Sequence, residues 1–85
     1  MRLEARVLEG ARDWLAQHPD QEDSFYAELS RVRADELMLI NNSEPFLVAG
    51  SRYTYRFFRF GTNLAMFVWT PAKRILIVVE IRSTV

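Results

Sequence analysis

Few side chains in this 85-residue sequence are of the types that make or break bonds, and those few are scattered. The single histidine, His18, ends an apolar stripe with spacings of three and four, so it reads as a packed helix-terminal residue rather than a general base. Metal sites want clustered Cys, His or carboxylates. There is no cysteine, and the acids are spread over what read as solvated helix faces, so neither a metal nor a cofactor is expected. The three glycines build no phosphate-cradling loop. No Ser, His, Asp set can be assembled, since geometry rather than presence defines a triad. Tyr53 and Tyr55 can donate hydrogen bonds, but strand parity points them inward. No residue is assigned as catalytic, and the sequence leans away from an enzyme.

The chemistry that remains is binding chemistry. Residues 1–45 hold five arginines against ten acids, whereas residues 46–85 hold six basic residues against Glu80 alone. A net charge of zero therefore hides an acidic half and a basic half, and such asymmetry points toward an anionic or macromolecular partner. The basic residues stand among aromatics, in runs such as Tyr55-Arg56-Phe57-Phe58-Arg59-Phe60. Guanidinium groups neutralise phosphates while rings stack on bases, which suits RNA; the same composition describes a protein interface. The near-neutral isoelectric point lacks the strongly basic character of a dedicated RNA binder.

Two kinds of element must position these residues. Leu3, Val7, Leu8, Ala11, Trp14, Leu15 and His18 predict one amphipathic helix over residues 2–18. Pro19 ends it and Asp20 can cap a second helix carrying Phe25, Leu29 and Val32. The segment Leu37-Met38-Leu39-Ile40 either finishes that helix or begins an extended stretch. From Pro45 onward β-branched and aromatic residues dominate, with strands expected near 46–49, 52–60, 63–70 and 74–82. The fold class is α+β: two N-terminal amphipathic helices packed on one face of a three- to four-stranded antiparallel meander, a single domain over residues 1–85.

Pairing across a two-residue Gly61-Thr62 loop sets Phe60 opposite Asn63 and Arg56 opposite Phe67. A type I turn at Thr70-Pro71-Ala72-Lys73 sets Val68 opposite Ile75. Alternation then collects Tyr53, Tyr55, Phe57, Leu64, Met66, Val68, Ile75, Ile77, Val79 and Ile81 on one face, expected to meet the helices. Arg52, Arg56, Phe58, Phe67, Trp69, Arg74 and Arg82 fall on the opposite face, expected to be free and to bind a partner. Arg59 falls at the margin of the core face. The last strand is expected at an open edge, paired with a second copy in a homodimer or with a partner's strand.

The run Ala49-Gly50-Ser51-Arg52-Tyr53-Thr54-Tyr55-Arg56-Phe57-Phe58-Arg59-Phe60-Gly61, with Ile75-Leu76-Ile77-Val78-Val79-Glu80-Ile81-Arg82 after it, resembles the C-terminal half of the RelE/ParE/HigB-like toxins of toxin–antitoxin systems. In that family two helices precede an antiparallel sheet whose middle strand reads roughly Tyr-Arg-x-Arg-x-Gly. This chain has one residue more between Arg56 and Arg59, carries Leu64 and Ala65 where the next strand often bears an arginine, and ends without the catalytic Tyr or His. The family's N-terminal strand has no counterpart if residues 2–18 are helical. The resemblance implies a member lacking the usual nuclease residues, with Arg56, Arg59 and Arg82 as carried-over positions. It implies a small cytoplasmic protein that binds RNA, the ribosome or another macromolecule. The alternative is a non-enzymatic protein-interaction module of inhibitor or immunity type using the same sheet face. Absence of cysteine and of a long apolar run agrees with a reducing cytoplasm and no membrane segment.

Overall fold

The first element among the described residues is a strand, where the helical period predicted a helix. In the computed structural model, which describes residues 2–84, β1 (Glu4–Val7) precedes α1 (Glu9–Gln17). Leu3, Ala5 and Val7 alternate inward and Glu4 and Arg6 outward, so the same letters satisfy a period of two as well as one of 3.6. Pairing with the last strand decides between them, because an extended segment there satisfies backbone groups that a helix would leave open.

His18 stops α1, its N–H donating to Leu15 O and its Nδ1 lying 2.8 Å from Trp14 O. A 3₁₀ turn over Pro19–Gln21 leads into α2 (Glu22–Val32), which buries Phe25, Leu29 and Val32, the three residues its periodicity selected. The Leu37–Ile40 segment forms a separate short helix, α3 (Glu36–Asn41), started by Asp35, whose carboxylate accepts the Met38 N–H at 2.8 Å. This is the cap geometry that short acidic side chains provide.

β2 (Glu44–Phe46), β3 (Thr54–Phe60), β4 (Asn63–Thr70) and β5 (Ile75–Ser83) complete one five-stranded mixed sheet in the order β1-β5-β4-β3-β2. The fold is α+β, with five strands rather than three or four. β1 runs parallel to β5 with Ala5 opposite Leu76 and Val7 opposite Val78. The last strand is therefore interior rather than an open edge, and the expected pairing of a second copy there is replaced by β1. Among the described residues no helix is long and apolar enough to cross a membrane.

The β3–β4 register matches the hairpin reading, Phe60 with Asn63 and Arg56 with Phe67. Gly61 occupies the first loop position at φ 56°, a left-handed conformation that a glycine adopts without strain. The second hairpin slips by two. Lys73 N–H donates to Thr70 O, as in the expected turn, but Arg74 follows at φ 56° and Thr70 pairs with Ile75 instead of Lys73. A shift of two leaves every side chain on its expected face. One residue further along does not: Met66 opposes Glu80 while Phe67 opposes Val78, so Val79 is a bulge. Beyond it Glu80 and Arg82 exchange faces with Ile81.

The helices cover the face expected to be free. Phe58, Phe60, Ala65, Phe67, Trp69, Leu76, Val78 and Ile81 pack with Leu3, Ala11, Leu15, Phe25, Leu29, Val32 and Leu39 in one buried cluster. Phe25 sits at its centre, 5.9 Å from Phe58 and 5.3 Å from Phe60, ring centre to ring centre. Parity sorted the two faces but could not choose between them, since both are mostly apolar. The choice follows from how α1 leaves β1: Leu8 N–H donates to Val78 O, and α1 then lies over β5 close enough that a Cβ on Gly10 would meet Val79 O at 4.0 Å.

Candidate interaction surface

The uncovered sheet face is built by cross-strand rows. Arg6, Ile77, Val68, Tyr55 and Phe46 form one row; Glu80, Met66, Phe57 and Glu44 form the next; Arg82, Leu64 and Arg59 form a third. Glu4, Ile75 and Thr70 complete the far end. Directly opposed side chains on one face lie close enough to touch, which makes the rows a continuous surface. The apolar members are part-exposed rather than buried, apart from Val68 at 8%. Phe46 packs beside Tyr55 at 5.5 Å and Phe57 at 6.1 Å. A shallow groove runs between Phe46, Val48, Tyr55, Met66, Val79 and Arg82.

Charges lie around this apolar centre in opposed pairs. Arg82 Nε is 3.1 Å from the Glu80 carboxylate, Arg6 3.4 Å from Glu4 and Arg59 3.7 Å from Glu44. Arg59 also lies over the Phe57 ring, 5.5 Å from its centre. Three arginines and three glutamates give the face no net charge. Each pair is more than two-fifths exposed, so it adds little to stability, about 0–1 kcal/mol. An apolar centre inside a polar rim is the anatomy of a protein interface. A phosphate-binding surface instead needs unpaired positive charge.

The seven residues expected to bind a partner do not share a surface. Phe58, Phe67 and Trp69 are core residues beneath the helices, exposed by 1%, 0% and 7%. Arg56 lies on the helix side and is consumed by the end of α3: it donates to Ser43 Oγ at 2.7 Å, Ser43 O at 2.9 Å and Ile40 O at 3.2 Å. The Ile40 carbonyl is one that the C-terminus of α3 leaves open, Ser43 follows just beyond that end, and burial pushes the Arg56 guanidinium pKa below its ordinary value. Arg52 is exposed in the loop before β3, where it lines a depression with Tyr53, Trp69 and Lys73. Arg74 stands exposed in the β4–β5 turn. Of the seven, only Arg82 reaches the uncovered face, and the family-like position Arg59 joins it there.

The apolar residues of that face, assigned to the core by the sequence, are the ones left available. Arg59 was the signal that could have shown this. Its parity places it with Tyr55 and Phe57, and an arginine inside a strand is costly on a core face unless paired. The loop between β2 and β3 adds Leu47, fully exposed, with Val48 and Tyr53 beside it. Among the described residues no group of three or more His, Cys, Asp or Glu side chains is placed to hold a metal ion. Comparison with protein-family models, curated proteins and solved structures returned no match, which leaves the chemistry of this face as the guide to its use.

Proposed function

We propose that the protein is a non-enzymatic interaction module that docks another protein on its uncovered sheet face. The observation that carries this is the pattern on that face: an apolar centre of Ile77, Val68, Met66, Phe57, Tyr55 and Phe46 ringed by three neutralising Arg–Glu pairs. Apolar surface of that extent on a small domain marks an interaction site, and the aromatic residues on it are of the types that carry interface energy. The partner is either another protein or a second copy of the chain in a homodimer. Absence of cysteine favours a reducing compartment, so the cytoplasm is the proposed location.

The test places a charge in the centre without touching the helix side. Met66→Glu and Ile77→Glu should abolish co-purification of a protein partner and reduce any self-association seen by sedimentation at high micromolar concentration, while circular dichroism stays that of the wild type. Retention of the partner by both folded variants would overturn the proposal.

A second reading has one observation in its favour. β1 supplies the N-terminal strand that the toxin-like resemblance lacked, so the element order supports a chain similar in fold to the RelE/ParE-like toxins and binding RNA or the ribosome. The charge-neutral face and the burial of Arg56 weigh against it. Single-stranded RNA titrated at two salt concentrations separates the readings. Each phosphate contact contributes roughly 0.7 to the slope of log affinity against log salt, whereas an apolar protein interface shows little slope.

A further inference from the structure

β1 is an outer strand of the sheet, and in an extended chain each residue turns its N–H and C=O to the same side. Glu4 N–H donates to Arg74 O at 3.2 Å and Leu8 N–H to Val78 O at 2.9 Å, so Glu4, Arg6 and Leu8 face β5. The backbone N–H and C=O groups of Leu3, Ala5 and Val7 therefore point away from β5, while their side chains turn toward the core. Leu3 is already satisfied from α2: its N–H donates to Arg33 O and its carbonyl accepts Arg33 Nε, both at 2.8 Å. The outward groups of Ala5 and Val7 instead border a groove of about 540 Å³ walled by Arg12, Tyr26, Leu29 and Arg33. The other edge is blunted, since β2 is three residues long and has Pro45 at its middle.

The groove is basic. Among the described residues its lining contains Arg6, Arg12 and Arg33 and no acid. Arg6 is held by Glu4, whereas Arg12 has no ion pair among the described residues. Burial, with Arg2 nearby, pushes the Arg33 guanidinium pKa down, and Glu4 only partly offsets this. Four of the five arginines of the acidic half thus gather around one strand edge. Arg33 stands beside Leu3 at one end and Arg12 one helical turn beyond Leu8 at the other, with Tyr26 and Leu29 between.

We infer that this edge takes an extended acidic segment of a partner protein as an added strand, with carboxylates at positions i and i+4 and an apolar residue at i+2. Residues i and i+4 of a strand are about 13 Å apart, and the stretch from Leu3 to Leu8 spans about 16 Å, so both carboxylates reach an arginine. Main-chain hydrogen bonds to Ala5 and Val7 supply affinity, and the alternate side chains supply specificity. This surface meets the uncovered sheet face only at Arg6, and the tests of the two use different residues, Arg12 and Ala5 here and Met66 and Ile77 there.

The probe is the capped peptide acetyl-Ser-Glu-Thr-Leu-Thr-Glu-Ser-amide, titrated into ¹⁵N-labelled full chain. Shift changes should centre on Ala5, Val7, Arg12, Tyr26 and Leu29, and the Ala5 and Val7 amides should gain protection from exchange. Replacing both glutamates of the peptide by glutamine should weaken binding at least tenfold, as should Arg12→Glu in the protein. Ala5→Pro removes one outward N–H without breaking the β1–β5 ladder and should also weaken binding, with a melting temperature within a few degrees of wild type. Should Ala5→Pro unfold the chain, the amide-protection readout and Arg12→Glu still decide. Equal binding of the glutamine peptide, shifts elsewhere, no shifts at millimolar peptide, or the same shifts with inorganic phosphate alone would overturn the inference.

Discussion

Phe57 and Phe58 are neighbours on β3 that point to opposite faces, so truncating each in turn asks which face the helices cover. Phe58 is 1% exposed and touches Phe25, Phe60 and Phe67 with ring centres 5.9, 6.3 and 6.1 Å away. Removing its ring deletes three aromatic contacts and leaves a cavity in a closed cluster, so Phe58→Ala should cost about 3–5 kcal/mol. A domain of this size has a total stability of about 5–10 kcal/mol, so the loss is a large share of it. At roughly 4–8 °C per kcal/mol, the melting temperature should fall by about 12–40 °C. Phe57 instead lies on the uncovered face under the Arg59 guanidinium and beside Phe46. Phe57→Ala should cost no more than about 1 kcal/mol in the isolated chain. Thermal and urea unfolding followed by circular dichroism measure both. A Phe58→Ala melt within a few degrees of wild type, together with collapse of Phe57→Ala, would refute the placement of the helix layer.

Trp69→Ala should act on the fold rather than on partner affinity: its side chain is 7% exposed, and about 3 kcal/mol of unfolding free energy should be lost in urea titrations. Arg56→Ala removes three donated hydrogen bonds from the end of α3 and should cost about 2 kcal/mol; Arg56→Lys should rescue only part, because an ammonium cannot reproduce the guanidinium fork. Faster amide exchange confined to residues 36–46 is the accompanying signature. Gly61→Ala places a Cβ at φ 56°, 3.4 Å from Gln21 Oε1, and should cost about 1–2 kcal/mol by the left-handed backbone term, read from the urea midpoint.

The residues alone determined the α+β class, the apolar stripe of α2, the full extent of β4 and the register of its hairpin with β3. Each rests on local chemistry: a 3.6 period carrying Phe25, Leu29 and Val32, a proline and acids at a helix start, a glycine at a two-residue turn. Four matters were decided only by the tertiary structure. β1 was hidden because Leu3 and Val7 fit either period, and the free edge of β5 that selects the strand lies some seventy residues away. The bulge at Val79 was hidden because a run of Ile, Leu and Val gives no local sign of an extra residue, although it moves Glu80 and Arg82 to the other face. The choice of face was hidden because alternation defines two sets without ranking them. Both sets are rich in Phe, Val and Ile, and the path of α1 over β5 buries one and leaves the other to a partner. The cluster of Arg2, Arg6, Arg12 and Arg33 was likewise invisible in a count that found the N-terminal half acidic, since proximity in space is a property of packing and not of composition.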